Sequence, residues 1–442
     1  MRYFYVDNYR GFSNTFIPIA DVNFLVGENS TGKSSILALI NLLGKASFWF
    51  NQEFNTDEIE LGAFKDIISI NSENNKYFRI GVIECDPSAE IPTDKQHTFL
   101  MTFTAEKGVP RVKDYSFVQF NKEIRIAFAR KTARYKISEI EHPEDISRTL
   151  FNLFTSWLEQ DAGSGGGYKL FKPRDEVFRP RMPFVYVMGI IRQLALEGQE
   201  EPFDIGNIFN IHDMPTFTQP LAWIAPVRTK PARIYGGLKT EFSPEGEHTP
   251  RLIKDLMSRE SMASNFEKYT SAFGIESGLF DGLYTKSFGR TQTSPFELGV
   301  EINRIRLCIS DVGYGVSQSL PIIVELFARP NGFWYALQQP EVHLHPKAQA
   351  SLGNLFMDLA INEDKRFFVE THSDYTIDRF RVCYRDNEEA KLISSQVLFF
   401  ERSNLGNRVH SIPIDESGNY SEEQPETFRE FFINEEIRIL GL

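Results

Sequence analysis

Apolar and polar residues alternate in distinct ways along the chain, and each pattern predicts a different kind of structure. Two extended runs, RYFYVDNY and FIPIADVNFLV, come before a short loop and the apolar run ILALINLLG, which has helical length and ends at a glycine. This order predicts strand, loop and helix. From 77 to about 137, apolar residues recur with period two in short runs separated by turn residues. That pattern predicts an antiparallel meander.

The rest of the chain is first helical and then alternating. Helical stretches flank the flexible tract DAGSGGGYK at 161–169, two more follow PLAWIAPVRTKPARIY, and strand character resumes at FELGVEINRIRLCIS. The last third alternates helix and strand, which predicts a parallel, helix-flanked sheet that the strand before 27 would join. We therefore predict an α/β fold with a parallel core sheet, an antiparallel β meander and a helical insertion. The expected divisions are 1–140, 141–280 and 281–442.

Composition narrows the class of protein. The 442 residues are 41% apolar and 13% aromatic, which is enough for one large core or two linked ones. No run approaches the roughly 18 apolar residues of a membrane span, and the N-terminus lacks the features of a signal peptide. The three cysteines are far apart and suit neither a disulfide framework nor a zinc site. We expect a cytoplasmic protein without a membrane partner.

The distribution of charge indicates whether the chain could bind nucleic acid. A net charge of −12 argues against a protein that coats nucleic acid non-specifically. Between 107 and 136, however, the sequence has nine basic residues and only two acidic ones. This basic segment is either the solvated face of strands, which is the common case, or a contact surface for nucleic acid or an acidic partner.

The loop GENSTGKS fits the pattern G-x-x-x-x-G-K-[ST] and lies between a predicted strand and a predicted helix. Its glycines would let backbone N–H groups close around the phosphates of ATP, and the following helix N-terminus would add its dipole. Lys33 would reach the β- and γ-phosphates, and the Ser34 hydroxyl would ligate Mg²⁺. The loop residues predicted to contact ATP are Gly27, Glu28, Asn29, Ser30, Thr31, Gly32, Lys33, Ser34 and Ser35.

A second anion-seeking loop comes near residue 315. DVGYGVSQ places Gly313, Gly315, Ser317 and Gln318 immediately before a helix. A single nucleotide does not need two such sites, but two copies arranged head to tail would use both. Each copy would lend its second loop to the γ-phosphate bound by the other.

Together these motifs resemble the ATP-binding-cassette type ATPase domain of the SMC, Rad50, RecF and OLD group. The first loop matches Walker A, GYGVSQ the signature motif, YALQQPEVHLHP the Walker B strand and D-loop, and ETHSD the switch histidine, His372. NYRGFSN, with Arg10 and Phe12, is similar to the segment that contacts the nucleotide in this group. The region around PLAWIAPVRTKPARIY resembles the prokaryotic subfamily often called AAA15 or AAA21. In that region Arg228 and Arg233 would face phosphate, support a subunit interface or form surface salt bridges.

The resemblance implies catalytic roles for Gln338, Gln339 and His372, and a metal site at Ser34 and Gln338. The first position of the glutamine pair normally carries an acid that holds Mg²⁺ through water, whereas the second carries Glu or Gln. An amide at 338 keeps the shape but loses the charge and cannot act as a base. ATP binding should survive and hydrolysis should slow, with Glu341 as a nearby carboxylate. Either the chain is a natural sensor, or a deliberate Glu-to-Gln replacement traps the ATP-bound assembly; we prefer the second interpretation.

Two functions follow from the resemblance. The first is an ATP-gated regulatory subunit of a prokaryotic anti-phage system, such as PARIS, Septu or certain retrons, which the motifs do not separate. Its partners would be further copies of itself, a separately encoded effector nuclease of Toprim or HNH type, and a phage-encoded trigger protein. About 70 residues follow His372, which we expect to be too few for a nuclease domain. The alternative is a DNA-repair ATPase like RecF or Rad50 that clamps DNA on ATP binding.

Overall fold

The computed structural model describes residues 2–70, 76–85, 98–119, 122–129, 132–140, 145–171, 187, 189–190, 221–236, 241–291, 293–404 and 406–431. The strands are β1 (Arg2–Asp7), β2 (Thr15–Pro18), β3 (Val22–Gly27), β4 (Phe78–Glu84), β5 (Phe99–Glu106), β6 (Val109–Gln119), β7 (Lys122–Phe128), β8 (Ala133–Glu139), β9 (Lys169–Phe171), β10 (Leu221–Ile224), β11 (Gly282–Ser287), β12 (Phe296–Ile302), β13 (Ile305–Cys308), β14 (Trp334–Gln338), β15 (Arg366–Glu370), β16 (Ser395–Ser403) and β17 (Gly406–Ile414). The helices are α1 (Lys33–Leu43), α2 (Ala46–Asn51), α3 (Phe64–Ile67), α4 (Ile146–Glu159), α5 (Thr249–Ser258), α6 (Glu260–Ser277), α7 (Tyr314–Ala328), α8 (Pro346–Glu363) and α9 (Asp374–Asp386), with 3₁₀ turns at Ile309–Asp311 and Glu388–Leu392.

The first of two compact units comprises Met1–Ile19, Ala38–Gln219 and Glu401–Val409. Its sheet has the strand order β2-β1-β4-β5-β6-β7-β8-β9, and the paired strands are antiparallel. The predicted meander is therefore confirmed. Helix α4 begins after Asp145, whose carboxylate accepts a hydrogen bond from the Arg148 amide at 3.0 Å. Its apolar side chains recur at helical spacing and pack in one core with residues of the strands.

The second unit comprises Ala20–Leu37, Pro220–Phe400 and His410–Leu442. Its main sheet has the order β10-β14-β15-β3-β16-β17, and the first five strands of that order pair in parallel. This confirms the predicted parallel core sheet and the place of the strand before the phosphate loop within it. Because parallel strands end at a common edge, the carboxyl ends of β3, β14 and β15 lie side by side. In register, Gln338 is opposite Glu370, and Glu370 is opposite Leu25.

The run FIPIADVNFLV forms two strands rather than one. Strand β2 belongs to the antiparallel sheet and β3 to the parallel sheet. The break comes after Pro18, which has no N–H to continue a ladder. The Asn23 side chain then closes a turn, since its Oδ1 accepts from the Ala20 amide at 2.9 Å and its Nδ2 donates to the Ala20 carbonyl at 2.7 Å. The run after 296 likewise folds back on itself, with the hairpin β12–β13 turning at Asn303 and Arg304, both at positive φ.

The predicted helical insertion at 141–280 lies partly outside the described residues. Within the described part it includes α4, β9, β10, α5 and α6. The helical stretch PFVYVMGIIRQLALEG falls mostly outside. None of the helices in the described part of the chain is long and apolar enough to cross a membrane.

Candidate nucleotide-binding site

The phosphate loop runs from the end of β3 to the start of α1, as predicted. Two of its residues need glycine: Gly27 has φ +141°, and a Cβ there would come within 2.2 Å of the Phe400 carbonyl oxygen, while Gly32 has φ +97°. Ser30 is also left-handed, at φ +63°. Glu28, Asn29 and Ser30 are exposed, so the outer part of the loop is open to solvent.

The ammonium group of Lys33 lies inside this loop. Lys33 is only 4% exposed, and its Nζ donates to the carbonyl oxygens of Gly27 at 2.8 Å and Glu28 at 2.7 Å. Burial lowers the pKa of Lys33, and the carboxylates of Glu370 and Glu28 oppose that shift. The Thr31 hydroxyl also donates to the Glu28 carbonyl, at 2.8 Å. A buried cation thus stands at the centre of the loop, where an entering phosphate would meet it.

A carboxylate faces the first turn of α1. The Ser34 hydroxyl lies 3.0 Å from each carboxylate oxygen of Glu370, the last residue of β15. Glu370 is 6% exposed. The sequence predicted only that residue 370 lies in a strand, and it assigned no role to the side chain. The only available signal was an acid directly before the switch residues in VETHSD.

The Gln338 amide is hydrogen-bonded at both ends. Its Nε2 donates to Glu370 Oε2 at 2.9 Å, and its Oε1 accepts from the indole N–H of Trp223 at 3.0 Å. Gln338 itself is buried. The structure therefore brings Ser34, Glu370 and Gln338 together at one edge of the parallel sheet, where the sequence predicted Ser34 and Gln338.

Gln339 begins the turn after β14. Its φ is +42°, and its amide donates to the Glu370 carbonyl at 2.7 Å. Behind this turn lies Arg228, which is 4% exposed and whose Nη2 is 3.3 Å from the carbonyl oxygens of both Gln338 and Gln339. Its Nε and Nη1 have no hydrogen-bond partner among the described residues. Burial lowers the pKa of Arg228 to about 10, opposed by Glu341. Of the interpretations left open for Arg228, the surface salt bridge is wrong.

Glu341 connects the Walker B turn to the switch loop. It is buried, and its Oε1 accepts a hydrogen bond from the His372 amide at 2.8 Å. Desolvation raises the pKa of Glu341, although the hydrogen bond from that amide opposes the rise. Glu341 therefore supports the backbone of the switch histidine, which differs from the role as a substitute acid that the sequence suggested.

His372 lies two residues after Glu370, the last residue of β15, and it is exposed. Desolvation lowers the pKa of His372, the Lys33 ammonium lowers it further, and Glu370 opposes both. These couplings are consistent with the predicted position of His372 near the phosphate loop.

The second predicted loop forms the N-terminus of α7. Gly313 is the N-cap, and a Cβ at this residue would meet no atom within 4 Å. A Cβ at Gly315 would instead come within 2.7 Å of the His343 carbonyl oxygen, so this glycine packs directly against the D-loop. The Ser317 hydroxyl donates to the Tyr314 carbonyl at 2.9 Å, and Gln318 is buried with its Nε2 3.5 Å from the Thr229 carbonyl. The open face of this loop is therefore at Gly313.

Arg10 and Phe12 lie in the first unit. Arg10 has φ +41°, and its Nη2 donates to the Leu61 carbonyl at 2.8 Å. Phe12 is fully buried, and its carbonyl accepts from the Tyr9 amide at 3.0 Å. Their contact with the nucleotide stays a prediction.

The basic segment at 107–136 also lies in the first unit, and part of its charge is paired. Lys113 forms an ion pair with Asp161 at 2.5 Å, Lys122 one with Glu139 at 4.0 Å, and Arg111 one with Glu106 at 3.9 Å. Arg125 is buried. The residues at 130 and 131 lie outside the described ranges. Internal pairing favours the solvated-face interpretation for these members of the segment.

The site fits both ligands that the loop implies. Backbone N–H groups of the loop and the Lys33 ammonium suit the phosphates of ATP. Mg²⁺ takes oxygen ligands, and the Ser34 hydroxyl oxygen is of that type, with the negative charge of the Glu370 carboxylate beside it. Among the described residues no group of three or more His, Cys, Asp or Glu side chains could form a metal cage of protein ligands alone. Water and phosphate oxygens are the further ligands that Mg²⁺ usually takes in such sites.

Comparison with known families agrees with this geometry. Residues 1–177 match the family described as "AAA ATPase domain", and residues 275–378 match the family described as "AAA domain, putative AbiEii toxin, Type IV TA system". Both segments are therefore similar to ATPase domains. The second match includes the predicted signature loop, the predicted Walker B strand and turn, and His372. No curated protein matches the chain.

Solved structures similar to this chain include SMC heads. An SMC head bound to the C-terminal winged-helix domain of ScpA is 12% identical, with a TM-score of 0.42, covering 94% of this chain and 98% of that one. The SMC head domain from Thermotoga maritima is 13% identical, with a TM-score of 0.34, covering 93% of this chain and 99% of that one. A Pyrococcus furiosus SMC head with an extended coiled coil, bound to the C-terminal domain of ScpA, is 12% identical, with a TM-score of 0.38 and coverage of 99% and 100%.

Proposed function

We propose that this chain is the ATP-binding regulatory subunit of an anti-phage defence system, which assembles head to tail around ATP and controls a separately encoded effector nuclease. The observation that carries the proposal is the phosphate loop with its buried Lys33 ammonium, which is hydrogen-bonded to two loop carbonyls that phosphate oxygens can replace. With an amide at 338, whether natural or introduced, this site should hold ATP and turn it over slowly.

Each residue of the site has a role in holding ATP. The Lys33 ammonium would exchange its two carbonyl acceptors for phosphate oxygens, and the loop amides would surround the β-phosphate. Mg²⁺, when bound, supplies positive charge that neutralises the phosphates. Neither Gln338 nor Gln339 can take a proton from an attacking water, since an amide is not a base at neutral pH. Hydrolysis would then rely on His372 and on orientation of the water.

The open face at Gly313 supports the proposal of head-to-tail assembly. A helix N-terminus with space in front of its first glycine could accept a γ-phosphate bound to a second copy. Complementation tests this arrangement. Lys33→Met removes the phosphate-binding ammonium, and Gly313→Asp places a negative charge at the open face without an internal clash. Each variant alone should stay monomeric with ATP.

In a mixture, the P-loop of the Gly313→Asp chain can pair with the second loop of the Lys33→Met chain, which restores one complete site per dimer. We expect an ATP-dependent dimer, measured by mass photometry, only in the mixture and in the parent. Dimerisation of either variant alone to the parent's extent, or no dimer in the mixture while the parent dimerises, would count against head-to-tail pairing.

The regulatory role is supported by the family description that names a putative toxin and a toxin–antitoxin system. The ATPase subunits of PARIS and related systems fit the description of such a regulatory subunit. The test is co-expression with the products of the neighbouring genes. We expect a nuclease to co-purify in the presence of ATP and to be released or activated on phage challenge. Recovery of the ATPase without any nuclease, under conditions where it binds ATP, would contradict the role.

A DNA-clamping ATPase is the second candidate, and the positive surplus at 107–136 is the observation that favours it. The ion pairs of Lys113, Lys122 and Arg111 reduce that surplus. Duplex DNA binding measured with and without ATP at two salt concentrations separates the candidates. Tight ATP-dependent binding with a steep salt dependence would favour the clamp over the regulatory subunit.

A further inference from the structure

The charge at the metal side of the phosphate loop comes from the strand that precedes the switch histidine. Glu370 is 6% exposed, and its carboxylate accepts hydrogen bonds from two groups of the site, the Ser34 hydroxyl and the Gln338 amide. Ser34 is the residue whose oxygen would ligate Mg²⁺. A buried carboxylate is therefore in direct contact with the predicted metal ligand, although the expected acid position holds an amide.

The direction of the hydrogen bond from Ser34 to Glu370 determines which atoms of Ser34 can bind a cation. Because the Ser34 hydroxyl donates its single hydrogen to Glu370, its lone pairs stay available to a cation. Outer carboxylates that accept a hydrogen bond from a metal ligand orient that ligand and increase its basicity. Gln338 in turn holds Glu370, and Trp223 holds Gln338. Hydrogen bonds therefore link Trp223, Gln338, Glu370 and Ser34 in series.

Glu341 is engaged elsewhere, because its Oε1 accepts from the His372 amide. Gln338 and Gln339 carry no charge. We propose that Glu370 is the positioning residue of the magnesium site: it supplies the negative charge that residue 338 lacks and orients Ser34 toward the metal. This inference rests on the proposed binding of ATP with Mg²⁺.

A reciprocal exchange tests the proposal. Glu370→Gln removes the charge, whereas the double variant Gln338→Glu, Glu370→Gln moves one carboxylate to the other end of the same hydrogen-bonded pair. In the double variant the carboxylate can still accept from Trp223, and the amide can still accept from Ser34 and donate across the pair. Glu388→Gln is the matched control, since Glu388 is an exposed acid whose side chain is 87% accessible in a surface ion pair.

The readout is Mn²⁺ affinity, measured by electron paramagnetic resonance with a non-hydrolysable ATP analogue, beside analogue binding in EDTA and thermal unfolding. We expect Glu370→Gln to weaken Mn²⁺ binding by roughly 10–100-fold. The double variant should recover most of that loss, and the control should match the parent. Metal-free analogue binding should be retained in every variant.

Two results overturn the inference while leaving the proposed function intact: Mn²⁺ affinity unchanged in Glu370→Gln, or a double variant as weak as the single one although it is folded and binds the analogue. If the parent chain fails to bind the analogue both with and without Mn²⁺, the proposed function itself fails. If Glu370→Gln does not fold, the isosteric double variant decides alone: affinity close to that of the parent supports the inference, and loss of metal binding with analogue binding retained overturns it.

Discussion

The indole N–H of Trp223 donates to Gln338 Oε1 over 3.0 Å, and this contact fixes which end of the amide faces the phosphate loop. With the oxygen held by Trp223, the amide nitrogen must point to Glu370, where it finds an acceptor at 2.9 Å. A glutamate at 338 could also accept a hydrogen bond from the indole. It would also put two carboxylates within hydrogen-bond distance, an arrangement that needs a shared proton or a cation.

Gln338→Glu should increase ATP turnover. The second carboxylate adds negative charge where Mg²⁺ is expected, so metal-dependent steps should become faster by roughly 10–100-fold. The measurement is phosphate release at saturating Mg²⁺ and ATP. Without Mg²⁺ the variant should unfold at a lower temperature than the parent, because the two carboxylates repel each other. Equal turnover in parent and variant would mean that residue 338 does not limit hydrolysis.

Trp223→Phe should lower the free energy of unfolding. It removes the indole donor while keeping an aromatic ring, and it leaves the buried Gln338 oxygen unpaired, which costs about 1–3 kcal/mol. Denaturant unfolding measures this loss. The cost should be larger in the Gln338→Glu background, because hydrogen bonds to a charged acceptor are stronger. If the two backgrounds lose the same stability, the indole does not bond to residue 338.

The sequence was sufficient for the parts of the site that depend on local pattern. The glycines of the phosphate loop, the helix that follows Lys33 and the alternating strands of the last third are each encoded within a few neighbouring residues. Four ordered motifs also led to the ATPase domains that the two family matches contain. These features could be predicted because each depends on residues that are close together in the sequence.

The contacts that give the site its chemistry join distant residues. Glu370 meets Ser34 across 336 positions, and Trp223 meets Gln338 across 115. Such pairs depend on strand register in a parallel sheet, which apolar runs do not specify. Arg228 illustrates the same limit, because a lone arginine after a strand is usually exposed, whereas here it is buried behind the Walker B turn.

Glu341→Gln should change how stability depends on pH. Burial raises the pKa of Glu341 above its ordinary value of 4.5, so the folded state disfavours the ionised form. The free energy of unfolding of the parent should therefore fall as pH rises from 4.5 through the raised pKa, relative to the variant. Below 4.5 both states carry a protonated carboxyl, and this difference should vanish. Urea unfolding of the two proteins between pH 4 and 8 measures it; a constant difference would show that Glu341 is not the titrating group.

Gly315→Ala and Gly313→Ala should separate packing from binding at the N-terminus of α7. A methyl group at Gly315 meets the His343 carbonyl oxygen at 2.7 Å, and overpacking of this kind costs about 1–3 kcal/mol. A methyl group at Gly313 meets nothing within 4 Å and should leave the melting temperature unchanged. Gly313→Ala should nevertheless weaken ATP-dependent dimerisation, if a second copy's nucleotide approaches there. Equal melting temperatures for the two variants would contradict the packing of Gly315 on the D-loop.

His372 should gain proton affinity when ATP binds. In the free protein, desolvation and the Lys33 ammonium lower the pKa of His372 below its ordinary 6.5, and Glu370 opposes them. A nearby γ-phosphate would add negative charge and engage Lys33, and both changes favour the imidazolium. Titration of the histidine Cε1–H resonances, assigned by the signal missing in His372→Gln, should show a higher pKa with a non-hydrolysable ATP analogue than without it. If the neutral ring is the form that orients water, turnover should decline as pH falls through this ATP-bound pKa. A resonance that does not move with the analogue, in a protein that binds it, would place His372 away from the γ-phosphate and leave the switch role without support.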